Sequence, residues 1–407
     1  MTPATVPSSS EVAGPMDLGD PDLYSHGDPV AAWRLLRAER RPYWNERSDG
    51  TGFWAVLTHR DALAVYQDPA LFTSERGMRL DLDQAANDAA AGRMLIVTDP
   101  PRHHQIRVVL GSAFTPRTVA RLEASVRDIV AADLDAAIDA GTVDFAETAA
   151  RLPVSVICDL LGVPEKDREF MLAQTGLAFG SEGTADPYSA AAAHADLMDY
   201  YGDLVAYRRR APGDDLVTAM VEARVNGEPL TDEEIFLNCD GLISGGNETA
   251  RHAAAGGVLA LANHPDQLRR LADDPGILRT AVGEILRWTS PALHVMRTAT
   301  VGTNLAGQQI RAGHRIVVFN AAANRDDEVF EEPDRFDLGR SPNRHLAFGN
   351  GTHHCLGSAL AALQLTVLFG EIARRVAAIE PAGPARRLRS NLIWGYTSAP
   401  IRLTARR

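Results

Sequence analysis

His345-Leu346-Ala347-Phe348-Gly349-Asn350-Gly351-Thr352-His353-His354-Cys355-Leu356-Gly357 is the stretch around which the rest of this 407-residue chain is organised. Three glycines, Gly349, Gly351 and Gly357, surround one cysteine, so the backbone can turn sharply and press close to a flat cofactor where a Cβ would clash. The run that follows, Ser358 to Phe369, is rich in good helix formers and places Cys355 at a helix N-terminus. Free amides and the positive end of the helix dipole are expected there to lower the thiol pKa and hold a thiolate. Taken alone, such a pattern reads first as a buried free cysteine in a turn. The surroundings decide the matter.

The loop resembles the haem-binding loop of the cytochrome P450 family, Phe-Gly-x-Gly-x-His-x-Cys-x-Gly, at every fixed position: Phe348, Gly349, Gly351, His353, Cys355 and Gly357. The resemblance implies that Cys355 is the axial thiolate ligand of a haem b iron, that Phe348 shields the sulfur, and that His353 reaches a haem propionate. A thiolate in that position pushes electron density onto iron and favours O–O cleavage.

Composition sets bounds on the alternatives. The net charge of −12 argues against general nucleic-acid affinity. No run of eighteen or more uncharged apolar residues stands in the sequence, and the N-terminus lacks a basic-then-hydrophobic signal pattern, so a cytoplasmic protein without a membrane span is expected. Cys158, Cys239 and Cys355 are odd in number and far apart, which speaks against a disulfide framework. Abundant alanine and arginine, with Lys166 the sole lysine, point to a high-GC bacterial source.

Residues 1–16 are rich in Pro, Ser, Thr and Gly and are expected to be a disordered tail, leaving residues 17–407 as a single, mainly helical domain with small β-sheets. Tyr43 to Leu57 reads as a hairpin around Asp49-Gly50, and His59 to Gln67 as a short helix. Asp99-Pro100-Pro101 breaks the chain, and a helix starts just inside the break. His103 and Arg107 lie four apart and share one face of it; they are either solvated polar residues or ligands. Helical periodicity runs from Val119 to Ala211, interrupted by a loop from Gly180 to Pro187. Strands are expected near Ser290 to Ala299, Leu305 to Ile310 and Ile316 to Phe319, with a last hairpin from Asn391 to Leu403.

Thr231 followed by Glu234 has the look of a capping box and opens a long helix reaching about Asn263. Gly245 and Gly246 in its middle cost about 1 kcal/mol each relative to alanine, so they need a packing or functional reason. A Thr249 hydroxyl or a water inserted beside them would open a groove. Glu248 is either a surface residue or, if buried, requires a relay role or an arginine partner. By resemblance Glu248 and Thr249 are the family's acid and alcohol pair in the oxygen-binding groove. Gly245 stands where the family commonly has alanine, and Ala250 where a second threonine is frequent. Downstream, Glu284 and Arg287 form a Glu-x-x-Arg pair, and the Pro333 to Asp337 segment resembles the family's source of a third member, here Arg335. A buried network of the three would brace the haem-loop side of the core.

The motifs occur in family order from about Leu23 to Leu403. The resemblance therefore implies the prism-like P450 fold, with haem between the central helix and the cysteine-loop helix, and propionate contacts from His103, Arg107, Arg297 and His353. It implies a haem-thiolate monooxygenase that activates dioxygen to hydroxylate or epoxidise an apolar small molecule, free or bound to a carrier protein. Oxidative cyclisation or coupling is an alternative, and a non-catalytic haem-thiolate sensor would have no need of Glu248 and Thr249. A tailoring role on a polyketide, peptide or terpenoid, as in antibiotic biosynthesis, fits the high-GC composition. Met78, Leu80, Leu95, Phe179, Leu242, Leu293, Met296, Ile393 and Trp394 are candidates for the pocket wall, each equally able to be core. Electrons are expected from NAD(P)H through a separate ferredoxin reductase and ferredoxin, the latter meeting a basic patch of His354, Arg344, Arg374 and Arg107 on a monomer.

Overall fold

The capping box predicted at Thr231 is formed. The Thr231 hydroxyl accepts from the Glu234 amide at 3.2 Å, and the Glu234 carboxylate accepts from the Thr231 amide at 2.9 Å. From it runs the 32-residue central helix Asp232–Asn263. The computed structural model describes residues 16–179 and 187–406. The predicted tail lies outside these except for Met16, which packs against the core; the predicted loop from Gly180 lies outside them up to residue 186.

The second half of the central helix is buried without interruption from His252 to Ala262 and is built largely of Ala and Gly. Short side chains let neighbours approach its axis: a Cβ at Gly257 would stand 2.5 Å from the Phe369 ring and 2.8 Å from Ile285. Helices Arg151–Leu161, Leu278–Thr289 and Ser358–Arg375 pack on it, and Pro116–Ala140 packs on the first and last of these, forming one large apolar core. The cysteine loop enters the last of those helices, so the same core fixes both sides of the site.

A five-stranded sheet lies to one side, in the order Tyr43–Glu46, Gly52–Val56, Arg315–Phe319, His294–Ala299, Phe72–Thr73. The predicted hairpin is present, Trp44 opposite Trp54, and the strand from Arg315 runs parallel to its second arm. The last predicted hairpin is not. Tyr396–Ser398 pairs with Arg386–Arg387, while Pro400–Ala405 inserts between Val376–Pro381 and Thr142–Asp144. Alternating apolar residues specified two strands, but their partners are distant in sequence and invisible to local pattern.

The brace differs from expectation in its third member. Glu284 and Arg287 are fully buried and joined by two bonds, Nε to Oε2 at 2.7 Å and Nη2 to Oε1 at 2.8 Å. Arg335 is exposed and pairs with Glu332; only its backbone carbonyl takes part, accepting from Arg287 at 3.3 Å. The second cation is Arg340, whose Nε donates to Glu284 Oε2 at 3.1 Å. The Asn343 amide and the Asp337 backbone N–H complete the carboxylate's set at 3.2 and 3.0 Å. Arg287 also donates to the Asn324 carbonyl, and the Asn324 side chain accepts from the Leu346 amide at 2.6 Å, which ties the brace to the start of the cysteine loop.

Removing one partner of a satisfied buried ion pair strands the other, so Glu284→Gln is expected to cost about 3–5 kcal/mol. Arg335→Ala should stay within about 0.5 kcal/mol. Urea midpoints of the two variants separate these roles, and equal effects would contradict the assignment.

Candidate functional site

The cysteine loop closes on itself through backbone bonds. The Gly349 amide donates to Leu346 O and the Cys355 amide to Phe348 O, both at 2.9 Å. Gly349 and Gly351 adopt left-handed φ of +64° and +67°. A Cβ at Gly351 would also collide with the Tyr66 carbonyl, so glycine is required there twice over. Helix Ser358–Arg375 starts three residues after Cys355, and the Ser358 amide meets the Cys355 carbonyl. Burial opposes the expected lowering of the thiol pKa. Burial pushes the Cys355 thiol up and outweighs the Gly357 amide and the Arg107 charge, which pull it down. Thiolate formation there is left to a bound metal ion.

His103 and Arg107 lie on helix Arg102–Gly111, and Arg297 on the central strand pair of the sheet. His103 and His353 stack with ring centroids 4.3 Å apart, and both ring nitrogens of His103 are buried without a partner among the described residues. His353 Nε2 meets the Ser74 hydroxyl at 3.0 Å. Arg297 is buried, and among the described residues its side chain donates only to its neighbour's carbonyl, Met296 O, at 2.7 Å. Burial, then the charges of Arg297, His103 and Arg107, pull the His353 imidazole down to about 2; burial and Arg107 pull His103 down to about 4. A buried nest of cations and orphaned imidazole nitrogens is what two propionate carboxylates would satisfy. The donor set therefore fits haem: Cys355 would supply the sulfur ligand, and His103, Arg107, Arg297 and His353 would meet the carboxylates.

On the central helix the glycine pair divides its work. A Cβ at Gly246 would stand 2.9 Å from Ile157, so this glycine is there for packing. Gly245 is exposed, with nothing within 4 Å of its missing Cβ. The Thr249 hydroxyl donates to Gly245 O at 2.7 Å, and the helix passes through this point unbroken. The notch beside Gly245 and Thr249 is thus open, while Asn247, Glu248 and Ala250 are buried.

Glu248 has the arginine partner that burial demanded, and a second partner that sequence reading missed. Arg251 Nη1 reaches Oε1 at 3.4 Å. His252 Nδ1 accepts from the Tyr396 amide at 3.3 Å, so Nε2 carries the proton and donates to Glu248 Oε2 at 3.1 Å. Burial raises the Glu248 pKa, but His252 and Arg251 outweigh it and hold the carboxyl below the usual range. Both partners stand at i+3 and i+4, a spacing that was legible.

The pocket candidates separate into two groups. Leu80, Leu293, Met296 and Trp394 are buried in one core cluster with Phe53 and Trp33. Their apolar character could not distinguish core from pocket. Leu95 and Leu242 remain half-buried against the large core, Met78 and Ile393 are half-buried, and the side chain of Phe179 lies outside the described residues. Met94 was not anticipated; its Cε lies 2.5 Å from where a Gly241 Cβ would be, one helical turn from Gly245. His294 is buried, its Nδ1 donating to Asn391 O at 2.7 Å and its Nε2 accepting from the Leu80 amide at 3.2 Å. The basic patch loses Arg374, which pairs with Glu371 at 2.5 Å at the far end of its helix, about 24 Å along the axis from Ser358.

Comparison with known proteins agrees with this geometry. The Cytochrome P450 family model matches residues 276–379. Cytochrome P450 NovI of Streptomyces niveus is 37% identical over 405 residues, covering 99% of each chain. The chain belongs to the cytochrome P450 family. Linalool 8-monooxygenase of Pseudomonas putida is 35% identical over 95% of this chain and 98% of its own. The crystal structure of P450 OxyD, involved in the biosynthesis of vancomycin-type antibiotics, superposes with a TM-score of 0.89 at 39% identity, covering 96% of this chain and all of that one. The protein is thus a haem-dependent cytochrome P450 monooxygenase with the P450 fold, and no helix among the described residues is long and apolar enough to cross a membrane.

Two consequences can be measured. Gly245→Ala should be more stable than Gly246→Ala by about 1 kcal/mol in urea denaturation, because both gain helix propensity but only the second must displace Ile157. Arg297→Gln should weaken haem retention roughly tenfold or more, the equivalent of a charge-assisted bond, read as the ratio of haem to protein absorbance after gel filtration. An unchanged ratio would exclude Arg297 from the propionates.

Proposed function

We propose that this P450 inserts oxygen into a C–H bond or alkene of an apolar small molecule, a secondary-metabolite intermediate of polyketide, peptide or terpenoid type. The observation that carries the reading is the open notch formed by Gly245 and the Thr249 hydroxyl beside the buried Asn247, Glu248 and Ala250 of the central helix. Haem, when bound, supplies the activation of dioxygen and the transfer of one oxygen atom. The chain supplies orientation and protons. Thr249 Oγ1, held by Gly245 O, presents a hydroxyl at the notch; Glu248, kept ionised by His252 and Arg251, can take up a proton on the buried side and return it. Leu95 and Leu242 supply apolar wall, and the relatives that act on linalool or serve antibiotic biosynthesis favour an apolar natural product.

Electrons would arrive from NAD(P)H through a ferredoxin reductase and a ferredoxin, which meets the cysteine side where Arg344 and His354 are exposed. Charge reversal at Arg344 should then slow reduction at low salt and lose its effect at high salt.

The reduced, CO-bound protein should show the red-shifted Soret band of thiolate ligation, and Cys355→His should move it to the histidine position. Thr249→Ala should keep that band and divert most reducing equivalents to peroxide; oxidation that stays coupled in the variant would show that protons come from elsewhere. Product analysis across natural-product scaffolds that displace the axial water distinguishes oxygen insertion from ring closure.

A further inference from the structure

A second cavity, of about 280 Å³, opens at the surface between Arg34 and Asp334 and ends against His252 and Gly256. None of the residues assigned to haem lines it, and neither Gly245 nor Thr249 does; His252, the partner of Glu248, stands in its wall. Its walls hold two guanidinium groups, Arg325 and Arg387, set among Trp288, Trp394 and Tyr396. Arg325 is buried; it lies 4.9 Å from the Trp394 ring centroid and donates to the carbonyls of Ala321 and Trp288 at 3.0 and 2.9 Å. The Arg387 guanidinium stacks on Tyr396 at 4.1 Å and on Trp394 at 4.7 Å, and among the described residues this side chain has neither a hydrogen bond nor an ion pair.

The charges in this cavity do not balance. Asp334, the acidic residue of the lining, is taken by Arg34 at 2.5 Å at the rim, and no carboxylate among the described residues pairs with Arg325 or Arg387. Burial, with Arg287 close by, pulls the Arg325 guanidinium down to about 9, which leaves it cationic at neutral pH. Aromatic faces offset part of the cost of burying a guanidinium, but they leave its in-plane N–H fork free. That fork matches the paired oxygens of a carboxylate or phosphate better than it matches a single halide. The volume is equivalent to roughly nine waters, room for a small oxyanion with part of its hydration shell. A positive recess of this kind is conspicuous on a chain of net charge −12.

We propose that this cavity is an oxyanion-binding site, in which Arg387 takes a small carboxylate or phosphate by its guanidinium fork with Arg325 beneath it.

The test uses the full-length holoenzyme at constant ionic strength, titrated separately with inorganic phosphate, acetate and chloride. Calorimetry and tryptophan emission report binding, the latter because Trp288 and Trp394 line the walls. Saturable binding of phosphate or acetate, stronger than chloride and weakened roughly tenfold or more by Arg387→Gln, is expected, one charge-assisted bond being worth that factor. Which oxyanion saturates tells phosphate from carboxylate. Arg387→Lys, which keeps the charge but not the fork, should retain weaker binding, and both variants are to melt like the wild type without ligand. Absence of saturable oxyanion binding, or binding that Arg387→Gln leaves unchanged, overturns the proposal. So does a Soret shift accompanying binding, which would put the anion at the haem; the haem spectrum itself is the separate test of the family chemistry.

Discussion

The buried carboxylate of Glu284 is the constraint on which the rest of the molecule depends. It is surrounded by Arg287, Arg340, the Asn343 amide and the Asp337 backbone N–H, so its lone pairs are used and its charge is matched. Such a group is of little worth as a source of stability and of much worth as a specifier, because only one arrangement of the surrounding chain satisfies it. Here the chain so specified is the irregular stretch from Asn324 to Leu346, which has few regular hydrogen bonds of its own and yet must deliver the cysteine loop to a fixed place. Through Asn324 the network reaches the first turn of that loop.

The second constraint is steric. A buried Ala and Gly face on the central helix draws the helices of Glu284 and Cys355 against it, so the ligand loop and the oxygen-side helix are held by one core. Rigidity on both sides is what a cofactor site needs if its polar groups are to be aimed in advance. His103 on its helix and Arg297 on its strand would meet the cofactor's carboxylates from such fixed positions.

Much of this was legible in the sequence because the signals were local. The cysteine loop, the capping box at Thr231, the hairpin at Asp49-Gly50 and the Glu-x-x-Arg pair are each set by residues within one or two turns of each other. What was misread or left open depended on distant geometry. Arg335 and Arg340 are five apart in the same loop, and which of them turns inward is decided by how that loop folds beneath Leu278–Thr289. Leu80, Leu293, Met296 and Trp394 are apolar whether they face a core or a ligand, so pattern had no means of sorting them. Thiolate character was inferred from a nearby helix start, whereas the desolvation that opposes it appears only when the surroundings are assembled.

The split between Gly245 and Gly246 has a consequence for how such an enzyme can diversify. From His252 to Ala262 the central helix is buried without interruption, and larger residues there disturb the shared core. Before it, Met94, Leu95, Gly241 and Leu242 meet in a half-buried region whose side chains can change size without touching the brace or the ligand loop. One end of a single helix is thereby fixed by architecture while the other is free to vary, which separates the inheritance of a chemistry from the acquisition of a new substrate.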